Sequence, residues 1–441
     1  MRFLLRTAAC AALALLASCG GDDDDYDYYE DGKSFACTIN NEKLWLRGEM
    51  AKYYFWAGKS PTPSPEGYAD PEAYLDALRF QGDASEPRDR FSYIESRSAF
   101  DEFFVEGRTL GYGVSVNGTE GTLPLKVRYV DPGSPAATAG VSRGDTVVAA
   151  NGIAASQLVQ SGNFASLSPT REGDVLTLVL ETNGAQRTVT LTGARYNLVP
   201  VTANTVFTLP GGAKAGYLSL KDFVTQAEAP LTAAITQFRQ AGATELILDL
   251  RYNGGGRVST ATHLGSLVTG ATRAGALFTR LAYNPISGLR DANYTFTNQG
   301  STAFPRVVVL TGPRTCSASE MVVNGLKPYA TVVTIGSASC GKPVGFSPQD
   351  VCDNVYSLVN FESLNAAGQG KYYSGLPLTC AVKDDFSKNL GDATETLTAA
   401  ALSYLQTGSC PVQPSSALVR PLRALDRVVV EPGQRSGMIA D

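Results

Sequence analysis

The chain has 441 residues, 37 basic and 42 acidic side chains, and a formal net charge of −5 at pH 7. No basic stripe interrupts this balance; Arg420, Arg423 and Arg427 form only a sparse, solvated cluster, which argues against a nucleic-acid partner. The length allows more than one domain with substantial cores, and a single histidine, His263, leaves little room for imidazole chemistry.

Arg2 and Arg6 precede a short apolar run, Ala8 to Ala17. It is about half the ~20 residues that a membrane-spanning helix needs, so residues 1–18 read as a cleavable signal. Leu16-Ala17-Ser18-Cys19 resembles the lipobox of bacterial lipoproteins. That resemblance implies lipidation at Cys19 and an extracytoplasmic protein anchored to a bacterial membrane, at the periplasmic face of an outer membrane or the cell surface. Residues 19–40 are dense in aspartate and read as an extended, solvated tether. Six further cysteines follow: Cys37, Cys316, Cys340, Cys352, Cys380 and Cys410. An even count in an oxidising compartment favours disulfides. Their spacings fit no zinc pattern, and no motif asks for a cofactor or a metal.

Residues 41–106 read as a helical segment rich in aromatics (Trp45, Tyr53, Tyr54, Phe55, Trp56), with Tyr74, Leu75 and Leu78 on one helical face. Residues 107–195 change to short strands and turns: Gly111-Tyr112-Gly113-Val114, the strand-like Leu125 to Val130, then Gly140-Val141 and Gly144-Asp145 before Thr146 to Ala150. This order resembles a PDZ domain. The resemblance implies that the loop at Tyr112, Gly113 and Val114 offers N–H groups to a peptide carboxylate, with the adjacent strand edge pairing to the peptide. Gly140-Val141-Ser142-Arg143-Gly144 also spells a G-x-S-x-G nucleophile elbow. An elbow needs a core strand before it and a helix after it, and Ser142 has neither, so it reads as a turn.

From 199 to 407 strands and helices alternate, which argues for a layered α/β core. Strands are expected at Ala215 to Leu220, Glu245 to Leu250 and Val307 to Leu310, and helices at Ala229 to Ala241, Ser259 to Leu267 and Thr394 to Leu405. Residues 408–441 read as an irregular tail.

Ser317, in Thr315-Cys316-Ser317-Ala318-Ser319-Glu320, follows an apolar strand and a Gly312-Pro313 turn and precedes an apolar helical run. A serine there sits at a helix N-terminus, where negative charge is favoured; it could equally be a cap, helped by Glu320. Lys342 lies 25 residues on, in Cys340-Gly341-Lys342-Pro343-Val344-Gly345. A serine with a neutral lysine as its base needs no histidine. Three glycines close Asp249-Leu250-Arg251-Tyr252-Asn253-Gly254-Gly255-Gly256. They let a ligand approach the main chain, and no Walker lysine or dinucleotide frame turns them into a phosphate loop. Ser339 and Lys342 also spell S-x-x-K, but Gly341 and Pro343 break the helix that motif requires.

The Ser317–Lys342 spacing together with the glycine segment resembles the carboxyl-terminal processing (tail-specific) serine peptidases. The resemblance implies a crotonase/ClpP-like spiral of β-β-α units, an N-terminal helical cap, and endopeptidase action on polypeptides through an acyl-enzyme. It makes Ser317 the nucleophile and Lys342 the base. Ala318 with Gly255 or Gly256 supplies the oxyanion donors. Many relatives carry a glutamine four residues after the lysine; here that position is Phe346, leaving Gln349, Asp350, Glu362 or Ser319 to orient the amine. Because Cys316 and Cys340 flank residues that must meet, a Cys316–Cys340 bridge is expected, with Cys352–Cys380 and Cys37–Cys410 as the remaining pairs. The alternative is a catalytically inactive lipoprotein scaffold that only binds peptides.

Overall fold

Leu246-Ile247-Leu248 and Val307-Val308-Val309-Leu310 are apolar at every position, as strands covered on both faces require, and all seven side chains are 0 % exposed. The computed structural model describes residues 28–30, 33–117, 123–300, 303–412 and 437–441. The signal segment, Cys19 and the arginine cluster of the tail lie outside the described residues. The two apolar runs form the centre of a six-stranded sheet, ordered Val201–Thr208, Lys214–Leu220, Glu245–Asp249, Arg306–Thr311, Thr331–Gly336 and Cys380–Ala381. The first pair is antiparallel and the others are parallel. Alternation along the strands divides the core. Leu246, Leu248, Val307 and Val309 pack with α6 (Glu228–Gln240), α7 (Val258–Thr269) and α8 (Ala318–Leu326). Ile247, Val308 and Leu310 pack with α9 (Thr396–Thr407) on the other face.

In-register pairing (Leu248 with Val309, Val309 with Thr334) makes three neighbouring parallel strands end together. The glycine loop follows the first, Ser317 the second and Lys342 the third, all at the carboxyl edge where open α/β sheets place their sites.

Three helices precede the core: α1 (Ile39–Lys52), α2 (Pro71–Leu78) and α3 (Arg97–Phe104), capped by Thr38, Asp70 and Ser96, whose side chains accept from Asn41, Ala73 and Ala99 N–H groups. The aromatics Trp45, Tyr54, Trp56, Tyr74, Phe80, Phe91 and Phe104 form one buried cluster with Val344, Phe346, Val351 and Tyr356. The segment is therefore packed onto the strand that leaves Lys342. Tyr93–Ser96 extends this contact by pairing with Asn354–Ser357.

The β-rich domain has its own core. Its sheet runs Ala185–Thr192, Val175–Thr182, Thr146–Ala150, Ile153–Ala154, with Val114–Val116 paired separately to Val127–Val130. Two short helices, α4 (Pro135–Thr138) and α5 (Ala155–Ser161), complete it. Ser142 sits in a turn, its N–H donating to Asp145 Oδ2 at 3.0 Å, with the Thr146–Ala150 strand rather than a helix after it. Arg143, beside it, reaches the core: its guanidinium donates to Asp384 Oδ1 (2.6 Å), the Lys388 carbonyl (2.8 Å) and the Tyr252 hydroxyl.

Three expectations are corrected. The tether expected over 19–40 contains an antiparallel pair, Tyr28–Glu30 with Lys33–Phe35, and α1 begins at Ile39; aromatic residues in the acidic run favour pairing. The tail expected to be irregular over 408–441 ends in a buried strand, Met438–Ile439, too short an apolar run to register as periodic. Cys316–Cys340 forms as expected, but the other bridges are Cys37–Cys352 and Cys380–Cys410. Sheet register decides this. Cys352 lies in the turn before Asn354–Ser357, which pairs with the N-terminal segment, while Cys380 sits on the sheet-edge strand Cys380–Ala381, whose core cluster includes α9, and Cys410 follows α9.

Peptide mapping of the non-reduced protein should recover these three cross-links. Replacing Cys37 and Cys352 by serine should lower unfolding free energy by about 2–4 kcal/mol. A Cys352–Cys380 peptide would contradict the fold.

Candidate active site

Ser317 is the N-cap of α8 and adopts φ 62°, ψ −117°. A non-glycine residue there is strained by roughly 1–3 kcal/mol and must be held by its surroundings. The holding group is Glu320, one turn into the helix and 0 % exposed. Its carboxylate accepts from Ser317 N–H (3.0 Å), Gly341 N–H (2.9 Å), Lys342 N–H (2.8 Å) and Ser339 Oγ (2.6 Å). Burial pushes the Glu320 carboxyl pKa up, and these donors pull against it. One side chain thus fixes both loops, and the Cys316–Cys340 bridge, with 5.1 Å between α-carbons, fixes the residues beside them. The capping role open to Ser317 falls to Glu320 instead. Ser317 Oγ is buried without a hydrogen-bond partner among the described residues.

Lys342 is 0 % exposed. Its amine lies 4.3 Å from the Phe346 ring centroid and 5.2 Å from that of Phe91. Burial pulls its pKa down to about 7, while the charges of Asp89 and Glu320 push it back up. Desolvation wins, so a large neutral fraction exists at neutral pH. Phe346 is part of the apolar wall that does this. The other candidates to orient the amine are engaged elsewhere. Gln349 donates to the Ser347 carbonyl, Asp350 pairs with Arg97, Glu362 accepts from Lys371 N–H, and Ser319 Oγ donates to Asn253.

Two positioning residues escaped the sequence reading. Asp89, 1 % exposed, holds Tyr54 and Ser92 hydroxyls at 2.7 and 2.6 Å and places negative charge near Lys342. Asn253, 0 % exposed, ties the glycine loop to the serine turn. Its Oδ1 accepts from Gly255 N–H (2.8 Å) and Ser319 Oγ (2.9 Å), and its carbonyl accepts from Cys316 N–H (3.1 Å). Asn253 stands inside the glycine segment, so its neighbourhood was legible; nothing in the sequence marked Asp89.

Of the oxyanion candidates, Gly255 has its N–H engaged by Asn253, whereas Gly256 N–H points at a carbonyl oxygen, that of Gly437, at 2.5 Å. The first N–H of α8, on Ala318, has no intrahelical acceptor. Gly255 and Gly256 adopt φ 107° and 137°, and a β-carbon on either would strike neighbouring backbone. His263 is on α7, its Nε2 2.8 Å from Thr232 Oγ1 in a groove along α6 whose lining includes neither Ser317 nor Lys342. In the β-rich domain Tyr112 is buried, and the Tyr112 and Gly113 carbonyls accept from Ala136 and Asp131 N–H groups, each at 2.9 Å. Val114 opens a strand paired on one side only among the described residues.

The α/β core thus places a buried hydroxyl and a buried amine at one sheet edge and is joined to a separate β-rich domain. Comparison with known proteins agrees. Residues 214–369 match peptidase family S41, residues 41–93 the S41 N-terminal domain, and residues 126–163 a PDZ domain. Over these segments the chain is similar to peptidase family S41. It is 29% identical over 262 residues to the chloroplastic C-terminal processing peptidase of Tetradesmus obliquus, covering 56% of this chain and 54% of that one. It is 26% identical over 307 residues to the carboxyl-terminal-processing protease of Synechocystis, covering 69% and 67%. The match thus spans about half the length of the first relative and two thirds of the second. A solved Bacteroides fragilis structure assigned to the S41 proteases superposes with TM-score 0.65 at 27% identity, over 86% of this chain and 98% of that one. The photosystem II D1 C-terminal processing protease shares the fold at TM-score 0.50 and 21% identity, over 79% and 94%.

Glu320→Gln leaves a buried amide in place of an acceptor of four hydrogen bonds. Urea unfolding should show a loss of about 2–4 kcal/mol, and an unchanged midpoint would remove Glu320 from this role.

Proposed function

We propose that the protein is a serine endopeptidase with a Ser317–Lys342 dyad. The observation that carries this reading is a fully buried lysine, its pKa drawn to about 7, whose backbone N–H shares the Glu320 carboxylate with that of a strained serine, the serine hydroxyl having no partner among the described residues. Neutral Lys342 takes the Ser317 proton as Oγ attacks a peptide carbonyl. Ala318 and Gly256 N–H groups receive the oxyanion. The ammonium then protonates the leaving amine, and water, activated by the same lysine, hydrolyses the acyl-enzyme. A desolvated amine and a buried hydroxyl whose backbones share one carboxylate favour catalysis over an inactive scaffold.

The remaining assignments complete this reading. The core is a crotonase/ClpP-like spiral under an N-terminal helical cap. The PDZ domain takes a carboxyl-terminal peptide segment at Tyr112, Gly113 and Val114, along the open edge of the Val114 strand. Substrates are polypeptides outside the cytoplasm, where a lipid on Cys19 holds the protein to a membrane; three disulfides suit an oxidising compartment.

Ser317→Ala and Lys342→Arg should each lower casein or peptide hydrolysis by about 10⁴-fold or more, with folding retained. Guanidinium stays protonated, so arginine cannot replace the base. Activity should rise with pH through about 7 as the ammonium loses its proton. A histidine base would titrate in nearly the same range, so His263→Gln is the deciding variant: its pH profile should match the parent's. A rising limb that vanishes with His263 while Lys342→Arg stays active would overturn the mechanism.

A further inference from the structure

A substrate backbone that reaches both the Gly256 N–H and Lys342 lies between the strand leaving the glycine loop and the strand leaving Lys342. That place holds residues Gly437–Asp441 of the chain itself. Met438–Ile439 runs parallel to Gly256–Arg257, and Ile439 bridges in parallel to Phe346. Gly256 N–H donates to the Gly437 carbonyl (2.5 Å), Phe346 N–H to the Met438 carbonyl (2.9 Å), and Ala440 N–H to the Phe346 carbonyl (3.1 Å). This is β-strand addition, the mode in which main-chain bonds hold an extended peptide and pockets read its side chains.

The side chains are accommodated as a ligand's would be. Met438 and Ile439 are 0 % and 2 % exposed, Met438 entering the cluster of α7 and α8 and Ile439 that of Val344 and Phe346. A β-carbon on Gly345 would lie 2.5 Å from the Met438 carbonyl, so the close approach depends on that glycine. Asp441 closes the far end. Its carboxylate accepts from Arg257 Nη1 (3.0 Å), Ser259 Oγ (2.7 Å) and Ser259 N–H (3.2 Å), and its carbonyl accepts from Tyr294 (2.9 Å).

The register places one carbonyl at the chemistry. A β-carbon built on Gly255 would meet the Gly437 carbonyl oxygen at 2.2 Å, Ser317 Cβ at 2.8 Å and Ala318 N at 3.0 Å, so the three surround one point. A strand that merely closed the sheet would need partners along its length. It would not need a carbonyl on the Gly256 N–H beside Ser317.

We infer that Gly437–Asp441 occupies the substrate cleft in cis and inhibits the enzyme, and that the cleft takes extended peptides with a small residue at the Gly437 position and apolar residues at the two following. The inference rests on the peptidase reading of Ser317 and Lys342. A tethered ligand competes at an effective concentration that reaches the order of mM, so free peptides at micromolar concentration are excluded until the segment leaves.

The test is binding of a fluorescein-labelled peptide of residues 432–441 to the otherwise full chain, by anisotropy, in a Ser317→Ala background that cannot cleave it. Deletion of residues 437–441 should tighten binding by about 10-fold or more, and in the Ser317 enzyme should raise kcat/KM for a fluorogenic peptide by a similar factor. Asp441→Ala, at an exposed position, should move both in the same direction by about 3-fold without threatening the fold. Equal peptide affinity in folded full-length and deleted chains overturns the inference; if the deletion does not fold, an Asp441→Ala variant with parental affinity and rate overturns it. Gain of binding without hydrolysis supports the occupied cleft and removes the peptidase reading. Hydrolysis at one rate with and without the segment does the reverse.

Discussion

The arrangement turns on one buried carboxylate. Glu320 accepts hydrogen bonds from the backbone of the serine turn and from two consecutive N–H groups of the lysine loop. Each donor would otherwise be a buried polar group without water, and each alone weighs about as much as the strain at Ser317. Together they outweigh it. The positive φ that aims the hydroxyl is therefore maintained by the residue that also fixes where the amine's backbone lies. The disulfide between Cys316 and Cys340 repeats the tie one residue away, covalently. Asn253 does the same for the glycine loop, so the three sheet-edge loops form one connected unit rather than three adjacent ones.

The lowered pKa of Lys342 is set from a different part of the chain. Cation–π contacts and two carboxylates favour the charged amine, and desolvation by Phe91, Phe346 and their neighbours more than cancels them. Phe91 and Asp89 belong to the N-terminal segment, which encloses the site in addition to capping the fold. The PDZ domain is fastened to the same edge: Arg143 bonds Tyr252, the residue before Asn253, through the network of Asp384.

Much of this was legible in the sequence because it follows from local pattern. The unbroken apolar runs at 246–248 and 307–310 announced doubly covered strands, and helix limits such as 258–269 fell within two residues of those expected from periodicity. Ser317, Lys342 and the glycines stood out by type and spacing. The unread features share a cause: they depend on long-range register. Nothing near Cys37 points to Cys352, 315 residues away. Asp89 matters only because an aromatic cluster folds it over a loop 250 residues later. Met438-Ile439 is too short to show a period, and its meaning comes entirely from the two strands on either side.

The buried amine also sets an order of events. In the unfolded chain Lys342 is an ordinary solvated lysine, protonated at neutral pH because its pKa is near ~10.4. It gains a substantial neutral fraction only when Phe91, more than two hundred residues upstream, seats against it and water leaves. The lowered proton affinity is thus absent from the nascent and misfolded chain, and it is itself a report that the N-terminal segment has docked on the core.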